Sequence, residues 1–195
     1  MKTPEENRVL IVDAAAIRFT RFGYGKSTMA EIAADCDMSV GNLYRFYPGK
    51  LDLAAEIVDR SSAQAVVTLR KASARKYKSA AARLEALTIA ELRDTHDVME
   101  NRPTIAEMGR VVMERRVEII NKGLKETRAV YADVLADGVA SGEFQIDDPE
   151  FAAEMIQAAT LKFRYPQLWS FLSLPALERE ARNVIRLFVS GLNRN

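Results

Sequence analysis

One cysteine and one histidine, Cys36 and His96, are all that a chain of 195 residues offers of the two side chains most used to hold transition metals. Their scarcity excludes intrachain disulfides, thiolate-rich zinc sites and any Cys/His pair of the usual ligand spacing. A charge excess is missing as well. With 28 Lys and Arg against 27 Asp and Glu, no global field draws the chain toward nucleic acid or an anionic membrane, so any such contact must be local. The longest notable uncharged stretch, Tyr165 to Leu177, is broken by Pro166 and Pro175 and is too short to span a bilayer. Met1-Lys2-Thr3-Pro4-Glu5-Glu6 carries acids and no apolar run, so it does not read as a signal peptide, and the expected location is the cytoplasm. What is present is 48% hydrophobic and 28% charged residues, enough to bury a core in one compact unit or in a small domain plus a larger one.

The apolar period is helical almost throughout. Ile11, Ala15, Phe19 and Phe22 share one face of a first helix that ends at Gly23. Thr28 followed by Glu31 has capping-box spacing and starts a short second helix with Met29, Ile32 and Ala33 on its buried side. That helix stops near Cys36, and Ser39 offers a fresh N-cap for a third covering Val40 to Phe46. Pro48-Gly49 breaks the pattern before a longer helix opens near Lys50. Further helices are expected near 80 to 100, near 103 to 110 and from about Val112 to Ala140, closed by Ser141-Gly142. Asp148-Pro149 starts another, and a last one begins at about Pro175. With no strand-like alternation and no repeat, the fold class is all-α.

Two short helices joined by a tight turn and backed by a preceding helix form a helix-turn-helix, whose second helix enters the major groove of DNA. The windows around it are free of acids: Arg18, Arg21 and Lys26 are the only charges between Ala14 and Ala30, and Arg45 and Lys50 the only ones between Ser39 and Leu51. Phe19, Gly23-Tyr24, Ser27-Thr28, Ile32-Ala33, Ser39, Gly41, Leu43-Tyr44, Phe46-Tyr47 and Lys50 stand in the order and at the intervals of TetR-type regulators. The first 55 or so residues thus resemble that family in detail, and the remainder resembles it in architecture. Two departures stand out. Cys36-Asp37-Met38 replaces the usual Ala-Gly-Val, putting Asp at the left-handed turn position. Phe46 precedes Tyr47 where the family commonly has Tyr or His before Phe.

The resemblance implies a DNA-binding domain over residues 1–49, with three helices, and a larger helical domain over 50–195 that binds effector and dimerises. It implies a ligand-responsive transcriptional repressor, not an enzyme, without cofactor or metal. The partners implied are a palindromic DNA operator, a second copy of the chain joined through the two C-terminal helices, and a small apolar or aromatic effector. In DNA contact it places Thr28, Ser39, Gly41, Asn42, Tyr44, Arg45, Tyr47 and Lys50. Asn42 and Arg45 suit base edges, because an amide pairs with adenine and a guanidinium with guanine, while Tyr44 and Lys50 suit the phosphate backbone. Candidates to line an effector pocket are Met99, Met108, Met113, Tyr131, Phe163, Tyr165 and Trp169, bulky or adaptable side chains that serve equally as plain core. The acid-free stretch holding Arg70, Lys71, Arg75, Lys76, Lys78 and Arg83 is read as a solvated face or an anion site. The other reading from a different class is a helical dimeric binding or scaffold protein without DNA activity.

Overall fold

The computed structural model describes residues 3–164 and 172–192, and among them it contains nine α-helices, one 3-10 turn and no strand. The all-α expectation holds. Two compact units form, one from Met1–Ala63 with Glu100–Lys122 and the other from Gln64–Met99 with Gly123–Asn195.

In the first unit, Thr3 and Glu6 make a capping box that opens α1 (Pro4–Phe22), which Gly23 ends at φ 88. The short helices α2 (Met29–Asp35) and α3 (Val40–Phe46) follow, then the start of α4 (Lys50–Ser73). The core gathers Ile11, Val12, Ala15 and Phe19 of α1, Ile32 and Ala33 of α2, Leu43 of α3, and Leu53, Ala54 and Ile57 of α4. Each fully buried Leu, Ile or Phe here contributes roughly 1.5–3 kcal/mol. Residues far along the chain complete this unit. From α6 (Pro103–Arg115), Met108 and Val112 enter the same core, Thr104 donates to the Thr20 carbonyl at 2.9 Å, and Glu107 accepts from the Gly25 N–H at 3.2 Å.

The boundary between α6 and α7 (Val117–Ala140) departs from the sequence expectation of one helix to 110 and another from Val112. Met108 and Val112 are four apart and both buried, so the apolar stripe of α6 runs on through position 112. The break falls at Arg116, which leaves helical conformation at φ −140, ψ 56 and bonds Asp52 through its guanidinium at 2.6 Å.

The second unit holds the rest of α4, nearly all of α5 (Ala80–Asn101), α7 from residue 123, α8 (Pro149–Ala159), the 3-10 turn Leu161–Phe163 and α9 (Leu174–Leu192). One cluster joins Leu84, Leu87, Tyr131, Leu135, Phe144, Ile156 and Ile185, and another joins Ile89, Leu92, Phe163, Leu177 and Ala181. As the sequence predicts, α7 closes at a turn with Gly142 at φ 76, and Asp148 caps α8 by accepting from the Phe151 N–H at 3.0 Å. The same turn points Glu143 at the start of α5, where its two oxygens accept from Ala80 and Ala81 N–H at 2.6 and 2.9 Å. Among the described residues, no helix is long and apolar enough to cross a membrane.

Candidate nucleic-acid interface and effector region

The geometry of the helix-turn-helix is set by three local devices. Thr28 Oγ1 accepts from Glu31 N–H at 3.3 Å, and the Glu31 carboxylate accepts from both the backbone N–H and the hydroxyl of Thr28 at 2.8 Å. Those hydrogen bonds from Thr28 hold the Glu31 carboxyl below its usual range. At the turn, Asp37 takes φ 54, the left-handed position expected of it, while the Met38 N–H bonds the Ala33 carbonyl at 3.0 Å. Ser39 then caps α3 by accepting from Asn42 N–H at 3.2 Å. Arg18 of α1 locks this assembly from behind, with a two-pronged pair to Asp35 and a contact to Glu31 at 3.3 Å. The guanidinium, chiefly through its hydrogen bond, lowers the Asp35 carboxyl in turn.

With Leu43 fully buried, α3 turns Ser39, Gly41, Tyr44 and Arg45 outward and leaves Asn42 half-buried. Arg45 enters no ion pair among the described residues, and Tyr44 keeps 49% of its surface exposed. A Cβ placed on Gly41 would meet nothing within 4 Å. Thr28 lies exposed as well, although its hydroxyl proton is given to Glu31. These six residues therefore reach one face of the helix-turn-helix or its rim.

Two expected contacts are placed differently. The Tyr47 side chain is only 6% exposed, packed in the core under Arg8, whose guanidinium lies 5.6 Å from its ring and donates to the Phe46 carbonyl at 3.3 Å. Burial pushes its phenol up, and the ring is a core element rather than an outward phosphate donor. Lys50 turns inward too. Its ammonium donates to the carbonyls of Tyr24 at 2.7 Å, Ser27 at 2.9 Å and Gly25 at 3.5 Å, and it sits 4.4 Å from the Tyr24 ring. An ammonium has three protons, and all three are engaged within the fold, so Lys50 clasps the α1–α2 connection.

The residues named for an effector pocket divide between the two units. Met108 is core of the first unit, and Met113 belongs to that unit as well. Met99, Tyr131 and Phe163 lie in the second. Tyr165 and Trp169 are outside the described residues. Sequence reading missed a polar group around Tyr131, since no short motif links its members. The Tyr131 hydroxyl bonds Glu91, Arg164 grips both Glu91 oxygens at 2.6 and 2.9 Å, and Thr88 Oγ1 lies 3.3 Å from the same hydroxyl. Burial, then the Glu91 charge, raises the Tyr131 phenol well above its ordinary value, keeping it a neutral donor. In the basic stretch, Arg70 and Arg83 pair with Asp133 and Asp137 of α7 at 2.9 and 2.8 Å, the ordinary surface role.

Comparison with known proteins bears on the whole chain. Residues 11–57 match the family model described as bacterial regulatory proteins, tetR family, and residues 80–185 match the tetracyclin repressor-like C-terminal domain. The HTH-type transcriptional regulator YhgD of Bacillus subtilis is 28% identical over 162 residues, covering 76% of this chain and 77% of its own. Among solved structures, a TetR-family transcriptional regulator from Mesorhizobium loti has a TM-score of 0.71 at 19% identity, with 98% of both chains covered. Thermus thermophilus FadR, a TetR-family transcriptional repressor in complex with lauroyl-CoA, has a TM-score of 0.68 at 18% identity, with 96% of both chains covered. The structural likenesses carry the fold, and the family models span both parts of the chain. The chain belongs to the tetR family of bacterial regulatory proteins: it is a helix-turn-helix transcriptional regulator and not an enzyme.

Proposed function

We propose that this regulator is a repressor that binds an approximately palindromic operator as a homodimer and leaves it when a small apolar or aromatic effector binds. The observation that carries the reading is the outward face of α3. Arg45 is exposed and enters no ion pair among the described residues, Asn42 stands one turn of chain away on the same short helix, and a Cβ on Gly41 would meet nothing within 4 Å. A glycine inside a helix costs about 0.5–1 kcal/mol against alanine, and here no neighbouring atom forbids the alanine. Close approach of an outside body, the DNA backbone, accounts for that cost.

In this reading residues 1–49 form the DNA-reading module and 50–195 supply effector binding and dimerisation. Asn42 and Arg45 read base edges, while Tyr44 and the rim residues Thr28 and Ser39 meet phosphates. Lys50 and Tyr47 act one step back, by holding the parts that do. The two C-terminal helices α8 and α9 form the dimer contact, since Phe151 and Leu187 stay 59% and 75% exposed in the single chain. Work in the cytoplasm follows from this role. Selection of duplexes from a random DNA pool by the full chain, at stated salt, tests the reading: enrichment of an inverted repeat is expected, and recovery of unenriched DNA contradicts it.

A further inference from the structure

Resting on the effector reading above, the strongest unused feature is the buried polar group of the second unit. Glu91 and Thr88 come from α5, Tyr131 from α7, and Arg164 from the residue just after the 3-10 turn that follows α8. The Arg164 and Glu91 side chains keep only 12% and 18% of their surface exposed, and Leu92 and Phe163, next to them in the chain, belong with Leu177 to one buried apolar cluster. The hydrogen-bond inventory there is almost closed. Glu91 accepts from both terminal nitrogens of Arg164 and from Tyr131, and Thr88 gives its proton to the Leu84 carbonyl at 3.0 Å. One buried nitrogen among the described residues is left with no partner at all. Arg164 Nε is buried and has no acceptor among the described residues. A buried polar group left unpaired is costly, and one that a native fold keeps calls for an explanation, of which a bound partner is one.

We propose that Arg164 Nε–H is the polar anchor of the effector site, and that the effector is an uncharged molecule with an apolar body and one accepting oxygen, of the ester, ketone or lactone class. Charge balance at the pair selects a neutral effector. Arg164 and Glu91 already balance, so an anionic effector would leave one negative charge uncompensated in a largely desolvated place, and a cation would face the guanidinium. A neutral carbonyl takes the Nε–H and leaves the pair intact. Because Nε has no contact with solvent, an occupant reaches it only by displacing side chains around it. Binding is thereby coupled to rearrangement at the end of α8, one of the two helices assigned to the dimer.

Calorimetric titration of the full chain with methyl decanoate, decanoate and decane separates the classes at one chain length. The ester is expected to bind about tenfold or more tightly than either of the others, the discrimination that one hydrogen bond to a charged donor supplies. Arg164→Lys keeps the positive partner of Glu91 and removes the Nε donor, so it should lose that advantage while its circular dichroism stays helical. Should the variant fail to fold, the wild-type ranking decides alone. Equal binding of ester and alkane, preference for the carboxylate, or no binding of the ester overturns the proposal. Release from selected operator DNA is followed on the same samples. Release by a compound indifferent to Arg164 leaves the effector reading standing and removes this one, whereas failure to bind operator at all removes both.

Discussion

Single side chains decide how the DNA-reading face is held and what it can read. Asn42→Ala should cost roughly 1–3 kcal/mol at one base pair per half-site and leave binding to random DNA nearly unchanged. Binding isotherms on matched and mismatched duplexes check this, and equal losses on both would remove Asn42 from base reading. Acid titrates the clasp behind it. Asp35 is held below its ordinary value by Arg18 and Glu31 by Thr28, so both bind protons more readily in the unfolded chain. Their stabilising contribution is present above the unfolded carboxylate value of about 4 and is lost as pH falls through the depressed folded values. Thermal unfolding midpoints of wild type should therefore fall below about pH 4, and Arg18→Ala should flatten that fall. Parallel acid profiles for the two proteins would contradict it. Asp37 shows what the sequence reveals at this scale: the turn pattern alone places it at a left-handed position, and it sits there at φ 54. Lys50 shows what it conceals. Its seat on three carbonyls depends on the α1–α2 connection folding back across more than twenty residues, which no local pattern records.

Three helix starts were legible because a side chain there satisfies the backbone of its own first turn. Thr28 with Glu31, Ser39 and Asp148 are all read correctly from spacing, because these caps are local chemistry. The break at Arg116 was not, since it answers to Asp52, 64 residues away, and no Gly or Pro marks it. Inside α7, Gly138 reports on packing that sequence could not show. A Cβ there would collide with the Phe144 ring and lie 3.1 Å from the Ala80 side chain. Gly138→Ala is therefore expected to destabilise by about 1–3 kcal/mol, against the helix-propensity gain of alanine, because overpacking a filled site costs that much. Urea unfolding gives the sign directly, and a stabilised variant would show that the Phe144 ring moves aside freely.

Across the whole molecule, the fold class and the order of its parts were readable because helical periodicity and the helix-turn-helix spacing are strong signals. The effector region was not readable, because Met and aromatic residues at helical spacing fill cores just as they line pockets. Met108 makes the point: it completes the core of the first unit beside Val112. Assembly is testable apart from DNA. Phe151→Glu with Leu187→Glu places charge on the two most exposed large apolar side chains of α8 and α9. This pair should sediment as a folded monomer at micromolar concentration, where wild type runs as a dimer. A wild-type monomer, or a variant that still pairs, would move the interface elsewhere.

The central claim is that two copies present two α3 helices to one face of a duplex, and it makes a geometric demand. Recognition helices in such dimers sit about one helical turn apart, roughly 34–36 Å, so their half-sites must share a face. Affinity is therefore to be measured for an enriched operator and for the same duplex with about five base pairs, half a turn, inserted between its half-sites. The account predicts that the insertion drops affinity to near that of random DNA at the same salt, because the second helix faces away from its half-site. Unchanged affinity across the insertion would contradict it.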